Sequence, residues 1–461
     1  MHLLQITQGN TATVIANTSD YLTTEYTPQS PTAALVDMTK AIERGTDDQI
    51  TVTETLDMLV MGGNLTVLQT NIRRLQDMMV SAELHHKYGE GQPVYLELQV
   101  HGEGSVWRSQ ILSGRFEQDS DSMRTIAGRK VEGRLTIVRR FYWERSVEVE
   151  SRLSSVLQPN INTGGRSIRN HGGAGVSNYV DVPANEIQGA LPTPARIELL
   201  NSNTSSRSYS NIYLGCEVLR RSAVHFADQL QGEAAMAGGD GAAATGYSGN
   251  SGSAVYAINL TSIARIKWQW TAAMLQQSIG QTYHVFVRFN WYTFVPGNTI
   301  FLTPQINELS GTADLNPYGV EMALPQPQQA LVNVGSVTFG DLETPASLAL
   351  ALYFRTSAAV LVEIDFIQPL PASNMRHLQY FGYGLGANEA LIDDGMVGMS
   401  YVRTTAGQQL PVVGGWGRPI LLWPNTGHTQ RLYVMQEQNG QMPINDRFAV
   451  SVYYRPRRLT I

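Results

Sequence analysis

Residues 49–100 read QITVTETLDMLVMGGNLTVLQTNIRRLQDMMVSAELHHKYGEGQPVYLELQV, and this stretch decides the fold of the N-terminal part of the chain. Its first eight residues alternate in polarity, which is typical of a half-buried strand. Gly62-Gly63-Asn64 interrupts the pattern and offers Asn64 as an N-cap. Apolar residues then recur at spacings of three and four, which predicts an amphipathic helix over residues 65–86. The predicted packing face consists of Leu65, Leu68, Ile72, Leu75 and Met79.

Strand patterns follow this helix in three runs, residues 93–100, 105–116 and 130–143, separated by glycine-containing turns. One helix packed on several strands predicts a compact unit over residues 49–150. Residues 1–48 show weak periodicity and many Thr, Asn and Gln residues. They are predicted to form an extended N-terminal arm.

The remainder of the chain is predicted to be almost entirely β. Residues 151–191 lose all periodicity and are rich in Gly, Asn and Ser, which indicates a linker or long loop. Short strands without intervening helices fill residues 192–370 and favour a jelly-roll β-sandwich. Residues 371–461 form a C-terminal β region, which is either a third small unit or a segment whose last strand returns to an earlier sheet. The predicted fold class is therefore mainly β.

Composition restricts the classes of function. A formal charge of -6 argues against a protein that wraps nucleic acid, because such binding needs clustered Lys and Arg. Cys216 is the single cysteine, so no internal disulfide exists, and a buried core position is expected for it. We expect no signal peptide and no membrane span, and synthesis in a reducing cytoplasm. Low charge with 20 Tyr and 7 Trp fits a surface that partners cover.

The search for catalytic and metal motifs is negative, so we expect no enzyme, no cofactor and no metal site. Walker A, His-Glu-x-x-His, Gly-x-Ser-x-Gly and paired-cysteine motifs are absent. Residues 382–386 read GYGLG, which favours a flexible turn over a dinucleotide loop. His85-His86 indicates a helix C-terminus rather than a metal chelate. Asp393-Asp394 favours turn residues over half of a carboxylate site.

Two groups of residues are candidates for interactions. Arg134, Arg139 and Arg140 lie in the most charged segment, and alternation divides them between two strand faces. Ion pairing within the sheet or between subunits is therefore favoured over phosphate binding. The aromatic residues Trp268, Trp270 and Trp291 favour core packing, with a sugar-stacking platform as the alternative.

Four stretches resemble bacteriophage tail proteins: NIRRL at residues 71–75, PVYLELQ at 93–99, GRLTIVRRFYWE at 133–144 and VSVYYRPRRL at 450–459. Together with the order of helix-bearing unit, linker and sandwich, they resemble the phage distal tail family. The resemblance implies an N-terminal split β-barrel and a galectin-like sandwich. It also implies a structural virion protein that forms a homo-oligomeric ring, three-fold or six-fold, around the DNA channel of the tail. The packing face of the helix and Arg134, Arg139 and Arg140 would be its oligomer and barrel scaffold.

The implied partners are other tail proteins, namely tube, hub, tape measure and fibres, while phage DNA passes through the lumen without specific binding. The protein would be made in the host cytoplasm and located in the virion tail. One alternative is a tail tube protein with an added surface domain. A second alternative, from another class, is a lectin-like carbohydrate-binding protein that uses Trp268, Trp270 and Trp291 against a host surface glycan.

Overall fold

The computed structural model describes residues 3–118, 129–173, 175–232, 240–245, 250–251, 254–293, 295–309, 320–324, 330–340, 348–379, 384–412 and 414–461. Over these residues the chain is mainly β, with three α-helices. It divides into two compact units. Unit 1 comprises Met1–Val149, Gln188–Thr193 and Arg455–Ile461, and unit 2 comprises Glu150–Ile187 and Pro194–Tyr454.

The first part of unit 1 alternates strands with two helices. Its elements are β1 (Leu3–Gln8), β2 (Thr11–Val14), β3 (Tyr21–Glu25), α1 (Leu35–Arg44), β4 (Thr51–Met61), α2 (Leu65–Tyr88), β5 (Val94–Gln99), β6 (Trp107–Gln118), β7 (Lys130–Arg140) and β8 (Trp143–Arg145). Seven of these strands form one antiparallel sheet in the order β2-β1-β5-β6-β7-β4-β3, and β8 pairs with β6. Thr23 Oγ1 donates a hydrogen bond of 2.6 Å to the carbonyl of Ile15, so the two terminal strands approach each other and the sheet forms a half-barrel.

Helix α2 begins at the predicted residue, Leu65, and ends at Tyr88, two residues beyond the predicted end. The side chain of Asn64 accepts a hydrogen bond of 3.0 Å from the backbone N–H of Val67, and Gly89 ends the helix with a φ of 70°. In the facing strand β4, alternate residues from Val52 to Val60 are buried. The buried faces of α2 and the sheet therefore form one apolar core, to which Leu4, Ile6, Leu96 and Leu135 also belong.

Residues 1–48 differ from the predicted extended arm. They contribute β1, β2, β3 and α1, and Leu4 and Ile6 on β1 are fully buried. β1 pairs with β5, a strand about ninety residues further along the chain. Four to six residues of alternation are too few to reveal a strand, because the partner that stabilises it is distant in sequence.

Unit 2 contains four sheets. Its elements, in chain order, are β9 (Val149–Glu150), β10 (Arg166–Arg169), β11 (Tyr179–Val182), β12 (Thr193–Asn201), β13 (Asn211–Val218), β14 (Leu230–Gln231), β15 (Ala242–Thr245), β16 (Ala254–Leu260), β17 (Ile263–Gln269), α3 (Ala272–Ser278), β18 (Thr282–Tyr292), β19 (Phe301–Leu309), β20 (Met322–Ala323), β21 (Leu331–Thr338), β22 (Leu348–Arg355), β23 (Val360–Pro371), β24 (Met375–Gln379), β25 (Ala390–Asp394), β26 (Met399–Arg403), β27 (Gln409–Pro411), β28 (Gly415–Gly417), β29 (Leu421–Leu422), β30 (Gln430–Glu437) and β31 (Arg447–Tyr454). The last strand of the chain, β32 (Arg457–Arg458), belongs to unit 1.

The four sheets of unit 2 form two pairs. In sequence, the strands of one pair are inserted between two strands of the other pair. The outer pair runs β10-β31-β12-β25-β26-β27 and β11-β30-β13-β24-β28. The inner pair runs β15-β16-β23-β18-β21 and β17-β22-β19-β20, and a large shared core joins its two sheets into a sandwich. All inner strands lie between β13 and β24. The sequence predicts one sandwich over residues 192–370, but β12 and β13 belong to the outer sheets, because alternation reveals a strand without revealing its partner.

Residues 151–191 also differ from the predicted linker. β10 pairs with β31 and β11 pairs with β30. The side chain of Arg166 donates hydrogen bonds to the carbonyls of Leu153, Thr163 and Gly164. Such side-chain contacts to the backbone order a loop without any periodic pattern, so the sequence analysis had no signal for them.

Residues 371–461 do not form a third small unit. Their last strands return to earlier sheets, which is the second of the two predicted arrangements. β31 completes an outer sheet of unit 2 by pairing with β12. β32 then returns to unit 1 and pairs with β8, with Arg457 opposite Glu144. Over the described residues, no helix has the length and apolar character needed to cross a membrane.

The packing of α2 yields a first prediction. Replacing Ile72, which is buried in the unit 1 core, with Asp should destabilise unit 1 by about 3–5 kcal/mol, because a carboxylate replaces a packed apolar side chain. Hydrogen exchange of the β4 and β7 amides measures this loss. The matched control is Val80→Asp on the exposed side of the same helix, which should change exchange little. Equal effects of the two substitutions would contradict the placement of Ile72.

Candidate functional site

Most residues of the predicted packing face of α2 lie in the core of unit 1. Leu68, Ile72, Leu75 and Met79 are buried in the core of unit 1. Leu65 is 57% exposed, because it is the first helical residue and lies beyond the edge of the sheet contact. Four of the five predicted residues therefore pack in the core of unit 1, and Leu65 does not.

The outer side of α2 carries an apolar stripe that the sequence analysis missed. Val80, Leu84 and Tyr88 are all exposed and follow one another at intervals of four residues. Residues at this spacing lie on one side of a helix. The signal was present in the sequence, but the stronger stripe on the other side obscured it.

The three predicted arginines lie in different surroundings within one sheet. Arg134 is exposed and pairs with Asp57 at 2.9 Å. Arg140 is half-buried and pairs with Asp47, and its Nε donates to Gln110 at 2.8 Å. Arg139 is fully buried, and its Nε donates to Glu54 Oε1 at 2.7 Å. Each arginine thus has an acidic partner inside unit 1, and the three do not form one basic surface.

The pair of Arg139 and Glu54 is the most buried charge pair of unit 1, with both side chains at 0% exposure. Both carboxylate oxygens of Glu54 accept from the backbone N–H of Gln29 at 3.1 Å, and the guanidinium of Arg139 lies 4.4 Å from the ring centre of Trp143. Burial raises the pKa of Glu54 above its ordinary value, although the charge of Arg139 opposes this shift. Misregistered strands would leave both charges buried and unpaired, so the pair opposes slippage of β4 against β7.

A second group of arginines, in β32 and just before it, was not predicted as a site. Arg455, Arg457 and Arg458 meet acidic side chains of unit 1, and Glu144 lies at their centre. Glu144 Oε1 also accepts from Arg108 at 2.9 Å. Burial raises the pKa of Glu144, but the charges of Arg457, Arg108 and Arg455 outweigh it, so the pKa lies below its ordinary value. The two stretches that meet here, residues 133–144 and 450–459, were singled out in the sequence without any indication that they touch.

Two of the three candidate platform tryptophans are in the core. Trp268 and Trp270 are each 1% exposed, and Trp270 packs against Phe226 and Phe339. Buried rings cannot stack on a sugar, so the platform alternative is wrong for these two residues, and they pack as core residues. Trp291 is 40% exposed and remains available at the surface.

A cluster of aromatic rings and imidazoles lies elsewhere, around Trp416 on β28, with Trp416 exposed and His377 buried. Trp416 is 46% exposed, and its ring centre lies 5.4 Å from that of His377 and 5.8 Å from that of His284. His377 stacks on Tyr213 at 4.5 Å, and its Nε2 is 2.8 Å from Asn211 Oδ1. We call Tyr213, His284, His377 and Trp416 the aromatic surface. The sequence signal was a tryptophan between glycines, GGWG at residues 414–417.

The backbone and the protonation of the aromatic surface follow from its packing. Gly417 has a φ of 93°, and a Cβ there would lie 2.4 Å from the carbonyl oxygen of Met375, so β28 approaches β24 closely only because residue 417 is glycine. Burial lowers the pKa of His377 to about 4 and also lowers the pKa of His284. Both imidazoles are therefore neutral near pH 7.

The remaining candidates have structural roles. Asp394 Oδ1 accepts from the backbone N–H groups of Met396 and Val397, which makes it a turn residue, whereas Asp393 is buried and pairs with Arg376 at 3.3 Å. His85 and His86 lie in the last turn of α2. Across the described parts of the chain, no group of three or more His, Cys, Asp or Glu side chains is placed to hold a metal ion. Of residues 382–386, the first two lie outside the described residues.

Cys216 is buried on β13, and burial raises the pKa of its thiol to about 12. The thiolate form, which is the nucleophile and the metal ligand, is therefore suppressed near pH 7. This agrees with the expectation of a core position.

Comparisons with known proteins identify no family. No family model matches the sequence, and no curated protein matches it. Among solved structures, a cycloalternan-forming enzyme from Listeria monocytogenes in complex with a pentasaccharide substrate aligns over 61% of this chain and 21% of its own, at 10% identity and a TM-score of 0.17. An uncharacterised Listeria monocytogenes EGD-e protein in complex with glucose, magnesium and calcium aligns over 61% and 20%, also at 10% identity and a TM-score of 0.17.

The tandem CBM22 domain of Paenibacillus barcinonensis Xyn10C aligns over 54% of this chain and 98% of its own, at 10% identity and a TM-score of 0.19. The chain spans about a fifth of the length of the two Listeria structures. With TM-scores this low, these likenesses support no inference about function.

The buried charge pair yields a second prediction. Glu54→Ala should destabilise unit 1 by about 3–5 kcal/mol, because it leaves Arg139 buried without a counter-charge. The control is Asp57→Ala, which removes an exposed pair from the same strand and should cost under about 1 kcal/mol. Urea unfolding measures the free energy of unfolding of each variant. Hydrogen exchange of the β4 and β7 amides shows whether the loss lies in these strands. A Glu54 variant as stable as the Asp57 variant would show that the buried pair does not hold the register.

Proposed function

We propose that this chain is a structural subunit of a bacteriophage tail, of the distal tail type, that forms a homo-oligomeric ring around the DNA channel and carries tail-tip components. The observation that carries the proposal is the half-barrel of unit 1, a run of seven antiparallel strands whose terminal strands each pair on one side only among the described strands. The sequence resemblance to phage tail proteins points in the same direction.

The open strands favour assembly between copies. β2 pairs with β1 and β3 pairs with β4, so each leaves one side without a strand partner over the described residues. Exposed strand edges are templates for pairing with another chain. Pairing of β2 of one copy with β3 of the next would replace the hydrogen bond between Thr23 and Ile15 within one copy. It joins two different surfaces, and such head-to-tail contacts generate rings when the rotation closes.

The sheet face opposite α2 suits the lining of a DNA channel. Thr51, Thr53 and Thr55 of β4 lie on it and are exposed. Two of its charge pairs are internal to the face, Asp57 with Arg134 at 2.9 Å and Glu117 with Arg115 at 3.1 Å. Hydroxyl groups and cancelled charges offer DNA little electrostatic attraction, so DNA would slide along such a wall rather than adhere to it.

Within the same class, the alternative is a tail tube protein with unit 2 as an added surface domain. The two roles differ in the assembly formed, because distal tail proteins are expected to stop at rings, whereas tube proteins stack rings into tubes. The exposed stripe of Val80, Leu84 and Tyr88 supports further contacts in both cases, since apolar side chains exposed together mark interaction surfaces.

Assembly yields the third prediction. The purified chain should form rings with a central hole in negative-stain electron micrographs, and its mass by light scattering should rise with concentration towards a closed oligomer. Ala12→Lys, on the exposed side of β2, should abolish the rings, because a charged side chain opposes strand addition. The matched control is Ala243→Lys on the exposed edge strand β15 of unit 2, which should assemble normally. A chain that stays monomeric at high concentration would end the proposal.

A second candidate function, carbohydrate binding, is favoured by the aromatic surface. Trp416 offers an exposed indole, and the neighbouring imidazoles of His377 and His284 are neutral near pH 7. The apolar face of a sugar ring packs well on such a surface, and Asn211 supplies a polar group beside it. The platform is therefore proposed at Trp416 rather than at Trp268 and Trp270.

The fourth prediction follows from this second candidate. Trp416→Ala should weaken glycan binding by roughly tenfold or more in a glycan array and in titration calorimetry, because it removes the stacking ring. The control is Trp291→Ala, which removes a tryptophan of similar exposure outside the aromatic surface and should leave binding unchanged. If the intact chain binds no glycan, or the Trp416 variant binds as well as the intact chain, the candidate is wrong.

A further inference from the structure

We infer that Arg455–Arg458 is a strap that locks unit 1, so that unit 1 is stable, and competent to assemble, only with the strap in its slot. The assembly part of this inference rests on the proposed function, whereas the locking part does not. The strap has three kinds of contact with unit 1: backbone pairing, charge pairs and stacking on aromatic rings.

The backbone contacts fasten the strap on two sides. On one side β32 pairs with β8, and the N–H of Arg145 donates to the carbonyl of Pro456 at 3.0 Å. On the other side the N–H of Ala190 donates to the carbonyl of Arg457 at 2.7 Å. The strap is therefore the middle strand between β8 and residues 188–193, and both belong to unit 1.

The residues beside the strap are shaped to receive it. Gly189 has a φ of 113°, and a Cβ there would lie 2.6 Å from the carbonyl oxygen of Arg457. The hydroxyl of Thr193 donates to the carbonyl of Arg455 at 2.7 Å. A larger residue at position 189 would push the strap away, so the strap lies this close only because residue 189 is glycine.

Each strap arginine has its own partners in unit 1. Arg458 lies 3.7 Å from the ring centre of Trp107 and pairs with Glu103 at 3.0 Å. Arg457 lies 4.0 Å from the ring centre of Tyr142 and 3.7 Å from Glu144. Guanidinium groups are suited to such combined stacking and pairing, and the contacts gain strength where water is excluded.

Removing the strap would leave buried groups of unit 1 without their partners and would lower its stability. The Glu144 side chain is 12% exposed, and of the ion-pair partners the structure gives it, Arg108 alone would remain. Trp107 and Tyr142 are both buried, and each would lose the guanidinium that lies against its ring. An under-compensated buried carboxylate and two uncovered aromatic rings would loosen β6 and β8 first.

The chain reaches the strap directly from unit 2. β31 ends at Tyr454 and the strap begins at Arg455. β31 itself is held by β10 and β12, which are nearly three hundred residues earlier in the sequence. Pairing of β31 in unit 2 therefore restrains the strap and lowers the entropy lost when it enters its slot in unit 1.

The test removes residues 455–461 from the otherwise full chain. Amide exchange in β6 and β8 should accelerate at least tenfold while exchange in unit 2 is unchanged, and ring formation should fall. A synthetic peptide with the sequence of residues 454–461, YRPRRLTI, should restore slow exchange when added in excess. The control peptide replaces its three arginines with lysine, which lacks the planar stacking group, and should restore exchange less effectively.

A point variant covers the case in which the shortened chain is insoluble. Glu144→Gln in the full chain should also accelerate β8 exchange, whereas Glu83→Gln, which removes the exposed pair with Lys87, should not. A shortened chain, or a Glu144 variant, with exchange equal to that of the intact chain would overturn the strap. Intact chains that show the exchange effects but form no rings would overturn the proposed function alone. If the shortened chain forms rings as efficiently as the intact chain, the strap is not needed for assembly, and that part of the inference is overturned.

Discussion

The fold depends on antiparallel pairing between segments that are far apart in the sequence. β12 pairs with β31 along seven residues, from Ala195 opposite Tyr454 to Asn201 opposite Phe448. Two further pairs of strands are also distant in sequence. β16 pairs with β23 inside the inserted sandwich, and β8 pairs with β32 in unit 1. In sequence, the β16–β23 pairing lies within the β12–β31 pairing, which in turn lies within the β8–β32 pairing. The free energy for closing such long loops must come from the apolar faces that the closure buries.

Buried charge pairs supply register where apolar packing alone would allow slippage. Arg139 with Glu54 in unit 1 has a counterpart in unit 2, where Arg288 Nη1 donates to Asp365 Oδ2 at 2.5 Å with both side chains at 0% exposure. Asp365 also accepts from the backbone N–H of Ser251 at 2.8 Å. Such pairs add little net stability, because both charges lose their hydration, but a slipped strand would leave two of them unpaired. A shift by one residue would also reverse every face of the strand.

The part of the fold that the sequence predicts is the local part. The helix from Leu65 follows from periodicity, its Asn64 cap and Gly89, all of which act within a few residues. The strands β1 to β3 were missed because four to six residues carry too little alternation, and their stability comes from β5 and β4. Sequence patterns do not show that one pair of sheets is inserted in the sequence of another. A strand that is buried on both faces is apolar throughout, and this apolar run is the same whichever strand it pairs with.

The candidate site shows the same division. Ion pairing of Arg134, Arg139 and Arg140 was expected, with acidic residues close to them in sequence as the partners. The pairs described above instead join them to Asp57, Glu54 and Asp47, which lie about eighty to ninety residues earlier and become neighbours through strand pairing and the preceding turn. Trp268 and Trp270 gave an ambiguous signal, because two aromatic residues two positions apart fit a core and a surface equally well. Trp416 carried the better signal for a surface, since glycines on both sides leave its ring uncovered, and this cue was not recognised.

The inserted sandwich enters and leaves the outer sheets at one place. β13 and β24, which flank it in sequence, are hydrogen-bonded neighbours, with Gly215 opposite Met375. Its two ends therefore lie side by side, as at the base of a hairpin, and a short turn would suffice to replace the whole of residues 219–374. Replacing the segment would keep the backbone pairing of β13 with β24, but any replacement would also have to cover Tyr433, Met435 and Met442, which share the core of the inserted sandwich.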